Sequence, residues 1–138
     1  MHKGKLIAIG VGPGDADLLT LKAHAFLRQT QYIAYPVNEN GESLARQTVA
    51  KHLDNHHIEI PFTLPVSAEP DALSAAYEKA ARQIELVLNK GENVCVLCLG
   101  DPLFYASFIH LRRHIDQDFP CEIVPGIISP SLLAAKAG

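Results

Sequence analysis

Apolar and polar positions along this chain keep two rhythms that take turns. Short runs of strand-like residues sit at Lys5–Ile9, Tyr32–Tyr35, Ile58–Ile60, Val94–Leu99 and Cys121–Val124. Apolar runs of this length, bounded by turn formers, read as buried strands. Pro36 is expected to close the second run and Pro61 the third. Between the runs, apolar residues return every three or four positions, the spacing of one helix face. Leu18–Arg28 carries Leu18, Leu21 and Ala25 in that register, and Leu44–Leu53 follows Ser43, a natural cap. Asp71–Leu88 is the longest helical stretch, and Gly91 is expected as the left-handed residue that stops it. Leu103–Ile115 and Ser129–Ala137 complete the series. Strands that alternate with helices predict βαβ units, and so an α/β three-layer sandwich around a mainly parallel five-stranded sheet.

Composition narrows the class. The chain has 138 residues, 48% of them hydrophobic and 20% charged, which is the balance of one globular domain. A formal charge of −3 argues against a general nucleic-acid binder, which needs a basic surface. No apolar run approaches the roughly 20 residues that span a bilayer, and Met1–Lys5 leads into a strand without a signal-type cleavage site. A cytoplasmic protein with no membrane partner is the expectation. Three cysteines, an odd number, do not suggest a disulfide framework. Cys95 and Cys98 match C-x-x-C, but residues three apart on a strand point to opposite faces and cannot share a metal. His52, His56 and His57 lack accompanying Cys or Glu spacing, so no metal is assigned.

The chemistry concentrates where strands end. The first strand leads into Gly10-Val11-Gly12-Pro13-Gly14-Asp15, and the fourth into Gly100-Asp101-Pro102. In an open parallel sheet small molecules bind at the carboxyl ends of the strands. Two strand ends built alike point to one ligand cleft served by both. A dinucleotide fingerprint fails, because its third glycine falls on Asp15, where a carboxylate would repel a pyrophosphate. Pro13 removes a further amide donor, and no Gly-Lys-Ser/Thr triplet is present for a phosphate loop. An acidic, donor-poor turn suits a cationic or hydroxyl-bearing ligand such as S-adenosylmethionine. The plainer reading of the same turn is that Asp15 or Asp17 caps a helix.

Gly10–Asp15 followed by Leu18-Leu19-Thr20-Leu21-Lys22-Ala23 resembles the opening of the tetrapyrrole (uroporphyrinogen-III C-methyltransferase-like) methylases. Gly100–Tyr105 resembles their second motif and Glu122–Ser129 their third, so the likeness spans essentially the whole chain. Tyr35-Pro36-Val37, Gly41–Arg46 and Phe104–Phe108 are similar to the branch that methylates carbon 20 of precorrin-2 in cobalamin biosynthesis.

The resemblance implies a two-domain methyltransferase with S-adenosylmethionine folded between the domains, residues 1–138 forming the amino-terminal α/β domain. It implies cofactor contacts at Pro13, Leu99, Gly100, Asp101, Phe104, Ile128 and Ser129. Ile128 stands where the family often carries Thr or Ser. The implied partners are precorrin-2 or cobalt-precorrin-2 and a second copy in a homodimer; the isolated 138 residues are expected to be inactive. Asp15 is the candidate for a direct chemical role, through pyrrole N–H groups or proton removal after methylation. Arg112, Arg113, Lys22 and Arg46 are available for substrate carboxylates, although Arg112-Arg113-His114 also reads as a solvated helix face. The alternatives are a methylase acting at another ring carbon, diphthine synthase, or a nucleotide-binding module without catalysis.

Overall fold

The computed structural model describes residues 2–65, 69–103, 107–128 and 134. Five strands form one sheet: β1 (Leu6–Gly10), β2 (Tyr32–Val37), β3 (Ile58–Thr63), β4 (Val94–Cys98) and β5 (Cys121–Val124). Their spatial order is β3-β2-β4-β1-β5, and each pairing between these strands is parallel. Helices α1 (Leu21–Gln29) and α2 (Leu44–Thr48) lie on one face; α3 (Pro70–Leu88) and α4 (Ser107–His114) lie on the other. The expected three-layer α/β sandwich is the fold observed.

Strand periodicity splits the core in two. Leu6, Ala8, Val94 and Val96 pack under Ile84, Leu88, Phe108 and Leu111 of α3 and α4. Ile7, Ile9, Cys95 and Leu97 pack under Ala23 and Leu27 of α1. Burying each large aliphatic side chain contributes about 1.5–3 kcal/mol. Cys95 and Cys98 fall on opposite faces, as their spacing requires. Burial pushes both thiols up to about 12, far from the reactive thiolate range.

Several boundaries differ from the sequence expectation, each for a local reason. The first helix begins at Leu21 because Thr20 Oγ1 accepts from Ala23 N at 3.1 Å, while Ala16–Leu18 forms a separate 3-10 turn. In α1, Leu21, 90% exposed, and Ala25 face outward, and Ala23 and Leu27 are the buried residues instead. Ser43 does cap α2, with Oγ accepting from Arg46 N at 3.2 Å, but α2 ends at Thr48. Gly91 is left-handed, with φ 84°, and follows the long helix closely. The helix expected over Ser129–Ala137 lies, apart from Ala134, outside the described residues, as do Phe104–Ala106 of the fourth helix.

Neither proline ends its strand. Ile58 N donates to Gln31 O (2.7 Å) and Leu64 N to Val37 O (3.0 Å), so even-numbered residues of β3 face β2 and odd-numbered ones face outward. Pro61 therefore omits a donor only on the side where β3 has no partner strand among the described residues, a place where proline is tolerated. Pro36, in β2, turns its missing donor toward β4. Pairing between β2 and β4 stops at Ala34 and Val96, just before Pro36. The two strands separate beyond that point.

Candidate functional site

Strands β1 and β4 are neighbours, yet they leave the sheet in opposite directions. The chain after β1 reaches α1 on one face, and the chain after β4 reaches α4 on the other. A crevice opens where such neighbours diverge, outside their carboxyl ends. Here the two departing turns are hydrogen-bonded to each other. Val11 N donates to Cys98 O (2.8 Å), Gly12 N to Gly100 O (3.3 Å) and Gly100 N to Gly12 O (2.9 Å). Gly12 and Gly100 have φ of 83° and 69°, the left-handed region that favours glycine.

The turn after β5 closes on the same spot. A Cβ added at Gly126 would lie 2.1 Å from Gly100 O, and one at Gly10 would lie 2.4 Å from Gly100 O and 2.7 Å from Gly126 N. No side chain fits at those distances. The first, second and third sequence motifs thus meet backbone to backbone on a floor of bare glycine. Pro13 rises half-buried beside Gly12, and Ile128 lies half-buried two residues beyond Gly126. Leu99, 37% exposed, stands at the exit of β4. Phe104 and Ser129 lie outside the described residues.

The two aspartates differ in what they hold. Asp15 is exposed, and its Oδ1 accepts from Asp17 N at 2.9 Å, capping the 3-10 turn. Asp101 is half-buried, with Oδ1 accepting from Leu103 N (2.8 Å) and Oδ2 from Gly126 N (3.1 Å).

On the other side of β4 lies a cavity of about 330 Å³ that sequence reasoning missed. Pro36, Phe62, Tyr77, Cys98, Leu99 and Phe108 are among its walls, and the start of α2 overhangs it. It opens where Pro36 ends the β2–β4 ladder. Pro36 is the available signal, though in a bare sequence it reads only as a strand stop. Leu99 borders both this cavity and the glycine floor.

A second missed feature holds α2 in place. Glu59 of β3 takes Arg46 on both oxygens, Nε at 2.8 Å and Nη2 at 3.2 Å, and accepts from Tyr35 Oη at 2.7 Å. The Arg46 hydrogen bond holds the Glu59 carboxyl below its usual range and raises Arg46. Burial, reinforced by Glu59, pushes the Tyr35 phenol up to about 12.

The four cations considered for substrate carboxylates are placed otherwise. Arg46 is committed to Glu59, and Lys22 Nζ pairs with Glu122 at 2.9 Å. Arg112 is half-buried rather than solvated and donates to the carbonyls of Ile115, Asp116 and Phe119, tying the end of α4 to the following turn. Arg113 borders a hollow with Lys3 and Phe119, at the amino ends of the strands and away from the crevice. Asp54, His56 and His57 have ligating atoms within 4.8 Å of one another. Both ring nitrogens of His57 are already used, Nδ1 accepting from Asp54 N (3.1 Å) and Nε2 donating to Leu27 O (2.8 Å). Asp54 and His56 are the exposed members of this group. The described residues contain no helix long and apolar enough to cross a membrane.

Residues 5–138 match the sequence profile of the Tetrapyrrole (Corrin/Porphyrin) Methylases. Precorrin-2 C(20)-methyltransferase of Sinorhizobium sp. is 36% identical over 143 residues, which cover 98% of this chain and 58% of that protein. Cobalt-precorrin-2 C(20)-methyltransferase of Salmonella typhimurium is 30% identical over 135 residues, covering 97% of this chain and 57% of that protein. The chain therefore spans a little over half the length of these relatives. Among solved structures, uroporphyrin-III C-methyltransferase from Thermus thermophilus complexed with S-adenosylhomocysteine superposes with a TM-score of 0.57 at 25% identity, over 96% of this chain and 52% of that one.

Proposed function

Since the chain belongs to the tetrapyrrole (corrin/porphyrin) methylases, we propose that the whole protein transfers a methyl group from S-adenosylmethionine to carbon 20 of precorrin-2, or of its cobalt form, in cobalamin biosynthesis. The two C(20)-methyltransferase relatives support this choice of substrate. Residues 1–138 are read as the amino-terminal domain of a two-domain enzyme, assembled as a cytoplasmic homodimer. The single observation that carries the reading is the convergence of three motif turns on one glycine floor at the divergence of β1 and β4.

The donor fits this floor by its chemistry. Asp15 at the head of a turn and the missing N–H of Pro13 disfavour phosphate, whereas a ligand with a sulfonium, an ammonium and ribose hydroxyls needs acceptors and close backbone. S-adenosylmethionine, when bound, supplies a methyl group made electrophilic by the positive sulfur. The backbone of Leu99, Gly100 and Asp101 is assigned the polar contacts, with Pro13 and Ile128 as apolar walls. Phe104 and Ser129 keep their places in this reading as further contacts. These walls exclude water, which favours a reaction that disperses charge, and fixed positioning supplies much of the remaining acceleration. Asp15, with an exposed carboxylate on the loop, is assigned the proton released from the acceptor carbon. The apolar cavity beyond Leu99 is assigned to an apolar edge of the acceptor, whose carboxylates would lie outside it, with Asn38 and Ser43 among its polar lining.

The test is calorimetry of the full-length protein with S-adenosylhomocysteine, followed by methyl transfer to precorrin-2 and to cobalt-precorrin-2. Micromolar binding and a product methylated at carbon 20 are expected. Methylation at another ring carbon would move the protein within the family, and absence of donor binding would overturn the reading.

A further inference from the structure

We propose that the Asp101 carboxylate is a positioning group: it pins the turn after β5 against the glycine floor and does not itself touch the methyl donor. The inference rests on the donor site proposed for the three motif turns and separates two roles within one residue. The backbone at Gly100–Asp101 faces the ligand, and the side chain works beneath it.

The carboxylate oxygens have different partners. Oδ1 accepts from Leu103 N at 2.8 Å across Pro102, an Asx turn whose middle residue has a fixed φ. That bond orients the carboxylate. Oδ2 then accepts from Gly126 N at 3.1 Å, from a turn 25 residues away in sequence. No lysine or arginine among the described residues forms an ion pair with Asp101, so two backbone amides are the groups found on its charge. An amide bonds a carboxylate more strongly than it bonds a neutral acceptor.

Gly126 is where such a bond has leverage. Its backbone already touches Gly10 and Gly100 so closely that no Cβ fits. The bond to Gly126 N holds the third turn in this place, where no side chain could stand. Ile127 and Ile128 follow directly, so the bond also sets where the Ile128 wall stands. Backbone bonds already join the turns after β1 and β4, and the Asp101 side chain adds the third.

The test uses the full-length protein with Asp101→Asn and Asp101→Ala. Asparagine keeps one acceptor oxygen but presents an amide N–H₂ to the second backbone donor; alanine keeps neither. Amide exchange at Leu103 and Gly126 is measured without ligand, alongside affinities for S-adenosylhomocysteine and for 5′-methylthioadenosine, which lacks the amino-acid end. Exchange at one of the two amides should accelerate in Asp101→Asn and at both in Asp101→Ala. Affinity should fall roughly tenfold per acceptor lost, equally for both ligands, and the donor KM should rise more than kcat falls. Unchanged amide exchange in Asp101→Ala overturns the proposal. So does a loss confined to S-adenosylhomocysteine, which would mean that the carboxylate meets the ligand's ammonium. If Asp101→Ala fails to fold, Asp101→Asn decides the matter through its single lost amide. A wild-type protein that binds neither ligand sinks the donor site, whereas the exchange data still decide the clamp.

Discussion

Two regions flank the carboxyl end of β4 and are built by opposite means. Over β1, β4 and β5 the chain makes a floor from backbone alone, with Gly10, Gly100 and Gly126 in contact and no room for a side chain. Over β2, β3 and β4 it makes a cavity from side chains, roofed by a helix that Glu59 anchors through Arg46. A backbone surface tolerates almost no substitution but presents fixed amides and carbonyls. A side-chain surface can be resized while the fold stands. On the reading proposed above, the first would hold the methyl donor and the second an edge of the acceptor.

The comparison breaks most sharply at Gly126. Gly126→Ala places a methyl group 2.1 Å from a carbonyl oxygen, so the strand ends must part. A loss of about 3 kcal/mol or more in a denaturant titration is expected, together with loss of S-adenosylhomocysteine binding. An alanine variant of near wild-type stability would show that the floor is looser than these distances require.

Asp15→Asn tests chemistry on the same side. Asparagine caps as well as aspartate, so the melting temperature should hold within about a degree or two. Turnover should fall on the order of a hundredfold with donor affinity retained. Full turnover would reduce Asp15 to its cap.

Glu59→Gln sharpens the cavity side. It removes the charge that Arg46 and Tyr35 share, at a partly exposed position, so about 1 kcal/mol is expected in chemical denaturation. The acceptor KM should rise while S-adenosylhomocysteine affinity stays put. If both change together, the two regions are not independent.

A slope against pH probes the same bond from Tyr35 to Glu59. The Tyr35 phenol ionises in the unfolded chain near 10.0 but in the folded protein only at about 12. Its contribution is fully present below pH 10 and disappears as pH rises from 10 to 12, because the unfolded state loses the proton first. Tyr35→Phe should flatten that decline, leaving a remainder from Cys95 and Cys98, whose buried thiols also ionise at about 12. An unchanged slope in urea titrations across that range would remove Tyr35 from the account.

The floor is legible in the sequence because a backbone demand shows itself as glycine at fixed places after strands. The cavity is not, because its walls come from several elements far apart in the chain, and no local pattern announces it. Asp101 is legible as a candidate, but its bond to Gly126 N is not, since that distant partner is a backbone amide that any residue but proline carries. The outer face of α1 misleads because Leu21 and Ala25 keep helical spacing equally well on the solvent side. Lys22 and Arg46 stand out by charge alone, and their carboxylate partners come from strands distant in the sequence. Pattern finds elements and backbone constraints; it does not find pairings between distant side chains.

The outward-facing Pro61 on β3 has a consequence for crowded solutions. A flat boundary strand invites a neighbouring molecule to add its own strand and extend the sheet from chain to chain. With Pro61 in the middle of that border, the central donor of such a ladder is missing. A copy docking its own strand on this margin would find that hydrogen bond lacking.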